Sequence, residues 1–295
     1  MSQDELTIEV TGMEAEATHV EEAHEEGGQE SGPHIQLAAE PAFEIGGFTV
    51  TNTMTATLVT TLLVIIFAVA VRRKAGVIPS RLQVLFEDIF MMFYEKLDEA
   101  VGEKRARKLA PLIVTLFIFV LVANQFILFP LLGSFTTEHG HLFRTPTTDY
   151  SLTLALAIIT MGTAHVLAFF ASPLGHIGNY IRVKPLWQII RGKKPIGELF
   201  NAAIEIFLGV LEILGDFIKI ISLGTRLFGN LLAGEVVIIV ISGLMFATQF
   251  LVPIPFILLA SFAGLIQAFV FTLLTTLFIT NNLVHATSHG EAGGH

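Results

Sequence analysis

The chain has no cysteine, one tryptophan and three tyrosines among its 295 residues. Without cysteine it has no disulfide framework, no thiolate nucleophile and no cysteine-ligated metal site. Charged residues are also scarce, at 15%, whereas a soluble domain carries about 25%. The net charge of −9 argues against a nucleic-acid binder. Hydrophobic residues make up 53% of the chain, so the composition indicates an integral membrane protein.

The negative charge is confined to the start of the chain. Residues 1–50 contain no lysine or arginine but twelve of the 26 acidic residues, so the other 245 residues carry 17 basic and 14 acidic groups. Residues 1–49 also have few large apolar side chains, and we expect them to form an acidic, disordered tail. They lack a basic start followed by an apolar run, so they do not resemble a cleavable signal.

Three apolar stretches are long enough to cross a bilayer whose hydrocarbon core is about 30 Å thick. They cover approximately residues 54–71, 109–129 and 151–170. Between the first two, residues 80–101 place apolar side chains at i, i+3, i+4 and i+7, which is typical of a helix on a membrane surface or under a helix bundle. Two longer helical segments follow, at about 197–250 and 254–283.

These segments predict an all-α integral membrane protein. It has one N-terminal span, an amphipathic surface helix, a two-span hairpin and two long tilted membrane helices. We assign residues 50–285 to this membrane domain and 286–295 to a short cytoplasmic tail. Fourteen of the 17 basic residues lie in the connecting regions 72–108 and 182–194. Because basic loops stay cytoplasmic, we expect the amino terminus outside and the carboxyl terminus inside.

The segment 197–250 is unusual for its length and its charges. About fifty helical residues measure about 75 Å, more than twice the hydrocarbon core, so the helix must tilt, bend or run partly along the interface. Its charged residues recur every seven positions and form one slowly drifting stripe: Glu198, Glu205, Glu212, Lys219 and Arg226. The acidic half has two interpretations, a water-facing interfacial stripe or a polar lining that admits water and protons.

Arg226 lies in strongly apolar sequence, where a buried charge costs at least about 3 kcal/mol. An arginine cannot avoid this cost by losing its proton. Ser222, Arg226 and Asn230 are spaced by four residues and therefore share a helix face. A purely structural pair with Glu235 is disfavoured, because nine residues correspond to about 180° around a straight helix.

Residues 222–230, which read SLGTRLFGN, together with the Ala-Gly-Glu at 233–235, resemble the signature of subunit a of the F-type ATP synthase. Gln267, within IQAFVF, is similar to the glutamine on that family's last helix. The helix count, the surface helix and the end of the second span at Asn124–Pro130 also fit. The resemblance covers approximately residues 50–285.

The resemblance implies that Arg226 faces the carboxylates of a rotating ring of c subunits, between two offset half-channels that carry protons. It also implies b subunits of the peripheral stalk and membrane lipid as partners, and a bacterial inner membrane as the location. It implies no cofactor and no catalysis by the chain itself, which has no nucleotide-binding loop.

The resemblance also suggests roles for individual residues. Asn230 and Gln267 are suited to hold the guanidinium of Arg226, and the alternative for Gln267 is a satisfied contact between helices. For the outer half-channel, the candidates are Glu235, with Asp149 at its mouth. For the inner half-channel and the helix face beside Arg226, they are Glu205, Glu212, Lys219 and Ser222. His165 is either a proton relay or a satisfied contact between helices. Some relatives have a carboxylate and a histidine where this chain has Ile127 and Ala260.

The alternative function is a secondary transporter that binds an anionic substrate at Arg226. Such transporters commonly contain internal repeats and broken helices, and neither is visible in the sequence. The sequence leaves open whether the transported ion is a proton or sodium, because the ring would carry the ion site.

Deleting residues 1–45 is expected to leave proton-driven ATP synthesis nearly unchanged at physiological salt. The tail's charge acts over about a Debye length, roughly 8 Å under these conditions, so only low ionic strength should reveal an effect. ATP synthesis in membrane vesicles at several salt concentrations measures this. A deletion that stops synthesis even at high salt would show that the tail is structural.

Overall fold

The computed structural model describes residues 41–45, 48–74, 81–128, 136–137, 140–141, 144–180, 199–244 and 251–292. All of these ranges belong to one compact unit, Ile35–His295. The helices, in chain order, are α1 (Asn52–Lys74), α2 (Arg81–Val101), α3 (Glu103–Asn124), α4 (Tyr150–Ala171), α5 (Pro173–Tyr180), α6 (Leu199–Leu244) and α7 (Pro253–Ala292). Two 3-10 turns, Gln125–Leu128 and Pro146–Thr148, follow α3 and precede α4.

Two short antiparallel strand pairs accompany the helices. Strands β1 (Pro41–Ile45) and β2 (Phe48–Thr51) pair directly before α1, and β3 (Thr136–Thr137) pairs with β4 (Gly140–His141). The prediction of disorder through residue 49 is therefore wrong for the residues of β1 and β2. Apolar Phe43, Ile45, Phe48 and Val50 alternate with other residues there, which is a strand pattern. Residues 1–40 lie outside the described ranges.

Four helical segments are long and apolar enough to cross a membrane: Asn52–Arg73, Glu103–Leu128, Tyr150–Ala171 and Pro253–Ala286. They contain the three short predicted spans and the predicted last helix. The amphipathic segment before the second span is also helical, as α2, and packs along α3. Phe93 and Leu97 of α2 are 1% and 0% exposed because its apolar stripe lies against the bundle.

Helix α6 is a single unbroken helix of 46 residues, about 69 Å long. The prediction of one long helix is confirmed over Leu199–Leu244, whereas residues 197–198 and 245–250 lie outside the described ranges. Helix α7 packs against it and continues to Ala292, into the range predicted as a short tail. Large apolar side chains such as Phe200, Phe207 and Phe217 are exposed along α6. A membrane or a partner protein is the environment that suits such a face.

Helix α7 packs against α3, α4, α5 and α6 and therefore holds the bundle together. Small residues allow these close approaches. A Cβ placed on Gly264 of α7 would lie 3.1 Å from Cβ of Asn124 on α3. Asn124 Nδ2 in turn donates a 2.8 Å hydrogen bond to the Gly264 carbonyl oxygen, so the two backbones are held at close range.

We expect Gly264→Val to destabilise the bundle by about 1–3 kcal/mol, because the added side chain must push Asn124 away. The amount of chain in the membrane and the melting temperature in detergent measure this. Gly162→Val on α4 is the matched control, since a Cβ there meets no atom within 4 Å. Equal effects of the two substitutions would contradict close packing at Gly264.

Candidate functional site

Arg226 lies on an exposed face of α6, with one hydrogen bond from its Nη2 to Ser222 Oγ at 3.4 Å. This contact confirms that Ser222 and Arg226 share a helix face, as their spacing predicts. Within the part of the chain that the structure describes, the guanidinium forms no ion pair. The site therefore presents a permanent positive charge to whatever covers this face.

Asn230 and Gln267 connect α6 to α7 one turn beyond Arg226. Asn230 Nδ2 donates to Gln267 Oε1 at 2.7 Å. Gln267 is 3% exposed, so it faces the bundle and not the lipid, and its Nε2 has no hydrogen-bond partner among the described residues. In place of the predicted contact with the guanidinium, these two amides bond to each other, and Arg226 donates to Ser222.

A second polar contact fixes α7 at this level. Gln125 Nε2 donates to the Ser261 carbonyl oxygen at 3.2 Å, and Ser261 Oγ donates to Gln125 Oε1 at 2.6 Å. Together with the bond from Asn124 to Gly264, these contacts set the register of α7 against α3. Gln267, one turn further along α7, is thereby held in place beside Asn230.

Glu235, the predicted outer half-channel residue, has a basic partner that the sequence did not reveal. Its carboxylate lies 3.3 Å from Arg144 Nε, and the two side chains are only 20% and 12% exposed. Arg144 comes from the segment before α4, 91 residues away in the chain. The inference that Glu235 does not pair with Arg226 is consistent with this contact.

Asp149 has a structural role at the start of α4. Its side chain accepts a hydrogen bond from the Ser151 backbone N–H at 2.8 Å, as a helix cap. It also accepts from Thr53 Oγ1 at 2.8 Å, which joins the starts of α1 and α4. No described contact links Asp149 to Glu235 directly, although both lie next to the segment that carries Arg144.

On the other side of Arg226, a buried carboxylate organises a polar group that sequence reasoning missed. Asp216 is 6% exposed and accepts hydrogen bonds from Lys219 Nζ at 2.7 Å and Tyr180 Oη at 2.6 Å. His165 Nε2 lies 3.8 Å from Asp216 Oδ2, and the ring of His176 lies beside that of His165. We call these five residues, from α4, α5 and α6, the inner cluster.

Two members of the inner cluster on α5, outside the candidate spans, have shifted pKa values. Burial, then the charge of His165, lowers the pKa of His176, while Asp216 and Glu212 oppose this shift. Burial and the hydrogen bond to Asp216 raise the pKa of Tyr180. Glu212 is thus close enough to act on both residues. Glu205, two turns earlier on α6, is exposed.

The two carboxylates flank Arg226 along α6. Asp216 lies ten residues before it and Glu235 nine residues after it, or about 15 Å and about 13.5 Å along the helix axis. The described residues contain no group of three histidine, aspartate or glutamate side chains that could hold a metal ion. The arrangement is two polar groups that lie on opposite sides of Arg226 along α6.

Comparison with known proteins identifies the family. A family model described as ATP synthase A chain matches residues 53–280, most of the chain and every residue of this site. The chain belongs to the ATP synthase subunit a family.

Curated relatives agree with this assignment. ATP synthase subunit a of Moorella thermoacetica is 31% identical over 81% of this chain and 94% of its own length. The protein of the same name from Citrifermentans bemidjiense is 31% identical over 75% of this chain and 83% of its own. ATP synthase subunit a, sodium ion specific, of Propionigenium modestum is 30% identical over 84% and 79%.

We expect Arg144→Ala and Glu235→Ala to destabilise the protein non-additively, with a coupling of about 0.5–3 kcal/mol, because each leaves a poorly solvated charge without its partner. Thermal unfolding of both single variants and the double variant gives the coupling. Arg73→Ala, which removes an exposed arginine at the end of α1, should combine additively with Glu235→Ala. If the destabilising effects of Arg144→Ala and Glu235→Ala also add, the ion pair between these residues is not formed.

Proposed function

We propose that this chain translocates protons through the membrane sector of an F-type ATP synthase and couples their flow to ATP synthesis. The observation that carries the proposal is Arg226, a cation on an exposed helix face with no ion pair among the described residues. A charge in such apolar sequence is costly unless another molecule supplies a counter-charge. Family membership supports the view that the counter-charge belongs to another subunit of the complex.

The counter-charge that we propose is the carboxylate of a c subunit in the rotating ring. A protonated ring carboxylate is neutral and can turn into lipid. Close to Arg226 the ionised form is favoured, because a nearby opposite charge lowers a carboxyl pKa by roughly 1–3 units. The proton therefore leaves as the carboxylate reaches Arg226, and a proton from the other side neutralises it again after it has passed.

The two polar groups beside Arg226 are then parts of two offset half-channels. Glu235, with Arg144, belongs to the outer one, and Asp149 shapes its mouth by fixing the start of α4. Glu212, Lys219 and His165 belong to the inner one, with the exposed Glu205 at its entrance. Arg226 separates the two, and because it neither accepts nor releases a proton it blocks a direct path across the membrane.

The two amides serve the guanidinium indirectly. The bond between Asn230 and Gln267 holds α6 against α7 one turn from Arg226, while Ser222 contacts the guanidinium itself. The face that carries Arg226 is therefore held in position while ring subunits pass. The Nε2 group of Gln267 is buried and has no hydrogen-bond partner among the described residues.

We also propose that the chain assembles with the ring of c subunits, the b subunits of the peripheral stalk and lipid. The location is a bacterial inner membrane, with the amino terminus outside and the carboxyl terminus in the cytoplasm, as the basic connecting segments predict. Nucleotide chemistry then takes place elsewhere in the complex, and this chain only conducts the ion.

No observation favours the alternative of a secondary transporter with an anionic substrate at Arg226. The curated relatives described above are all named as ATP synthase subunits. One of them is named as sodium-specific, so the transported ion itself is worth measuring, by ATP-driven transport with and without added sodium.

We expect Arg226→Ala and Arg226→Gln to reduce proton-driven ATP synthesis to background while the complex still assembles, because an exposed face loses its charge without a change in packing. ATP synthesis in inverted membrane vesicles and a subunit blot of the purified complex measure the two effects. Arg81→Gln, at an exposed arginine of α2, is the control and should keep synthesis. Normal synthesis in either Arg226 variant would sink the proposed function.

A further inference from the structure

The inner cluster contains a hydrogen-bond arrangement that the proposed function does not explain by itself. We propose that Asp216 and His165 form a proton-transfer site on the inner side of Arg226, and that Tyr180 is the positioning residue that determines which imidazole nitrogen exchanges the proton. This inference rests on the proposed function. It adds Asp216 and Tyr180 to the inner half-channel and gives His165 a defined role there.

The hydroxyl group of Tyr180 decides the tautomer of His165. A hydroxyl has one hydrogen, and at 2.6 Å from Asp216 Oδ2 that hydrogen is donated to the carboxylate. The oxygen of Tyr180 lies 3.3 Å from His165 Nδ1 and must therefore accept there. His165 accordingly carries a hydrogen on Nδ1, which leaves Nε2 as the nitrogen that gains or loses a proton.

Nε2 of His165 faces the same carboxylate. It lies 3.8 Å from Asp216 Oδ2, within ion-pair range. In the neutral imidazole, the lone pair of Nε2 points toward a negatively charged oxygen, whereas a proton on Nε2 turns this contact into an attraction. A proton that reaches Nε2 is therefore held by Asp216. In the transfer step the Nε2–H bond breaks and an O–H bond forms, on water or on Asp216 Oδ2.

The charged and titratable groups near His165 come from two helices. His176 and Tyr180 of α5 lie beside it, and Asp216 of α6 faces it. Glu212 of α6 is close enough to act on His176. Helix α7 contributes the uncharged ring of Phe278, 5.6 Å below the Lys219 ammonium, and its titratable His285 is exposed. Lys219 pairs with Asp216 through Oδ1, which leaves Oδ2 for Tyr180 and His165. The lowered pKa of His176 keeps that ring neutral beside His165.

The exposure of His165 also fits a role in proton transfer. The His165 side chain is 31% exposed whereas that of Asp216 is 9% exposed, so the imidazole is the more accessible of the two groups. His165 lies six residues before the end of α4, about 9 Å from the end of that candidate span. Asp216 lies on the helix that carries Arg226.

The test measures proton conductance of the membrane sector in proteoliposomes, with the catalytic sector removed, between pH 6 and pH 8. His165→Gln keeps a hydrogen-bonding side chain but removes the titratable nitrogen. We expect it to lower conductance at least about tenfold and to flatten its pH dependence, since positioned acid–base groups contribute about 10² or more. His285→Gln, at an exposed histidine of α7, is the matched control and should keep both conductance and profile.

Tyr180→Phe is the milder variant and keeps the ring packing. Without the hydroxyl, His165 can adopt either tautomer, so we expect the pH profile to shift while the complex remains intact. A structural role would lower the yield of the complex and leave the shape of the profile unchanged. A profile like that of the unmodified protein in both His165→Gln and Tyr180→Phe overturns the inference.

A double variant that swaps the charges of Asp216 and Lys219 distinguishes a role in proton transfer from a purely structural ion pair. The double variant Asp216→Lys and Lys219→Asp keeps opposite charges on α6 but moves the carboxylate away from Tyr180 and His165. The inference predicts that conductance stays low in this variant, and full recovery would contradict it. Loss of ATP synthesis in Arg226→Gln together with normal profiles here would leave the proposed function standing and reject only this inference.

Discussion

The structure depends on one electrostatic constraint, which is a permanent positive charge at Arg226 in an apolar stretch of α6. Arginine cannot become neutral, and the described part of the chain offers this guanidinium a serine hydroxyl but no carboxylate. The fold therefore presents a charge that is completed only by another molecule. The other polar features of the site are arranged with respect to this charge.

Helix α6 sets that arrangement, because it carries Asp216, Arg226 and Glu235 on one continuous frame. Each carboxylate is neutralised by a base, Lys219 for Asp216 and Arg144 for Glu235. Arg226 alone among the three has no such partner in the described residues. Contacts from α7, through Gly264 and Gln267, hold this frame in a fixed position against the bundle. A moving ring requires such a fixed surface opposite it.

The features that depend on local periodicity could be predicted from the sequence. The apolar spans, the unbroken α6 and the shared face of Ser222 and Arg226 follow from helix geometry and from the cost of a charge in apolar sequence. The partners of the carboxylates could not be predicted, because the bonds from Tyr180 to Asp216 and from Arg144 to Glu235 join residues 36 and 91 positions apart. Asp216 was missed because it lies outside the seven-residue stripe, although its spacing of three from Lys219 was a usable signal.

A structure of the intact complex that resolves side chains where this chain meets the c ring would test the role of Arg226 directly. We expect the guanidinium of Arg226 to lie within about 4 Å of a ring carboxylate, or of water that bridges to one. We also expect Asp216 and Glu235 on opposite sides of that contact. An Arg226 that pairs with a carboxylate of its own chain, or that points away from the ring, would contradict this role.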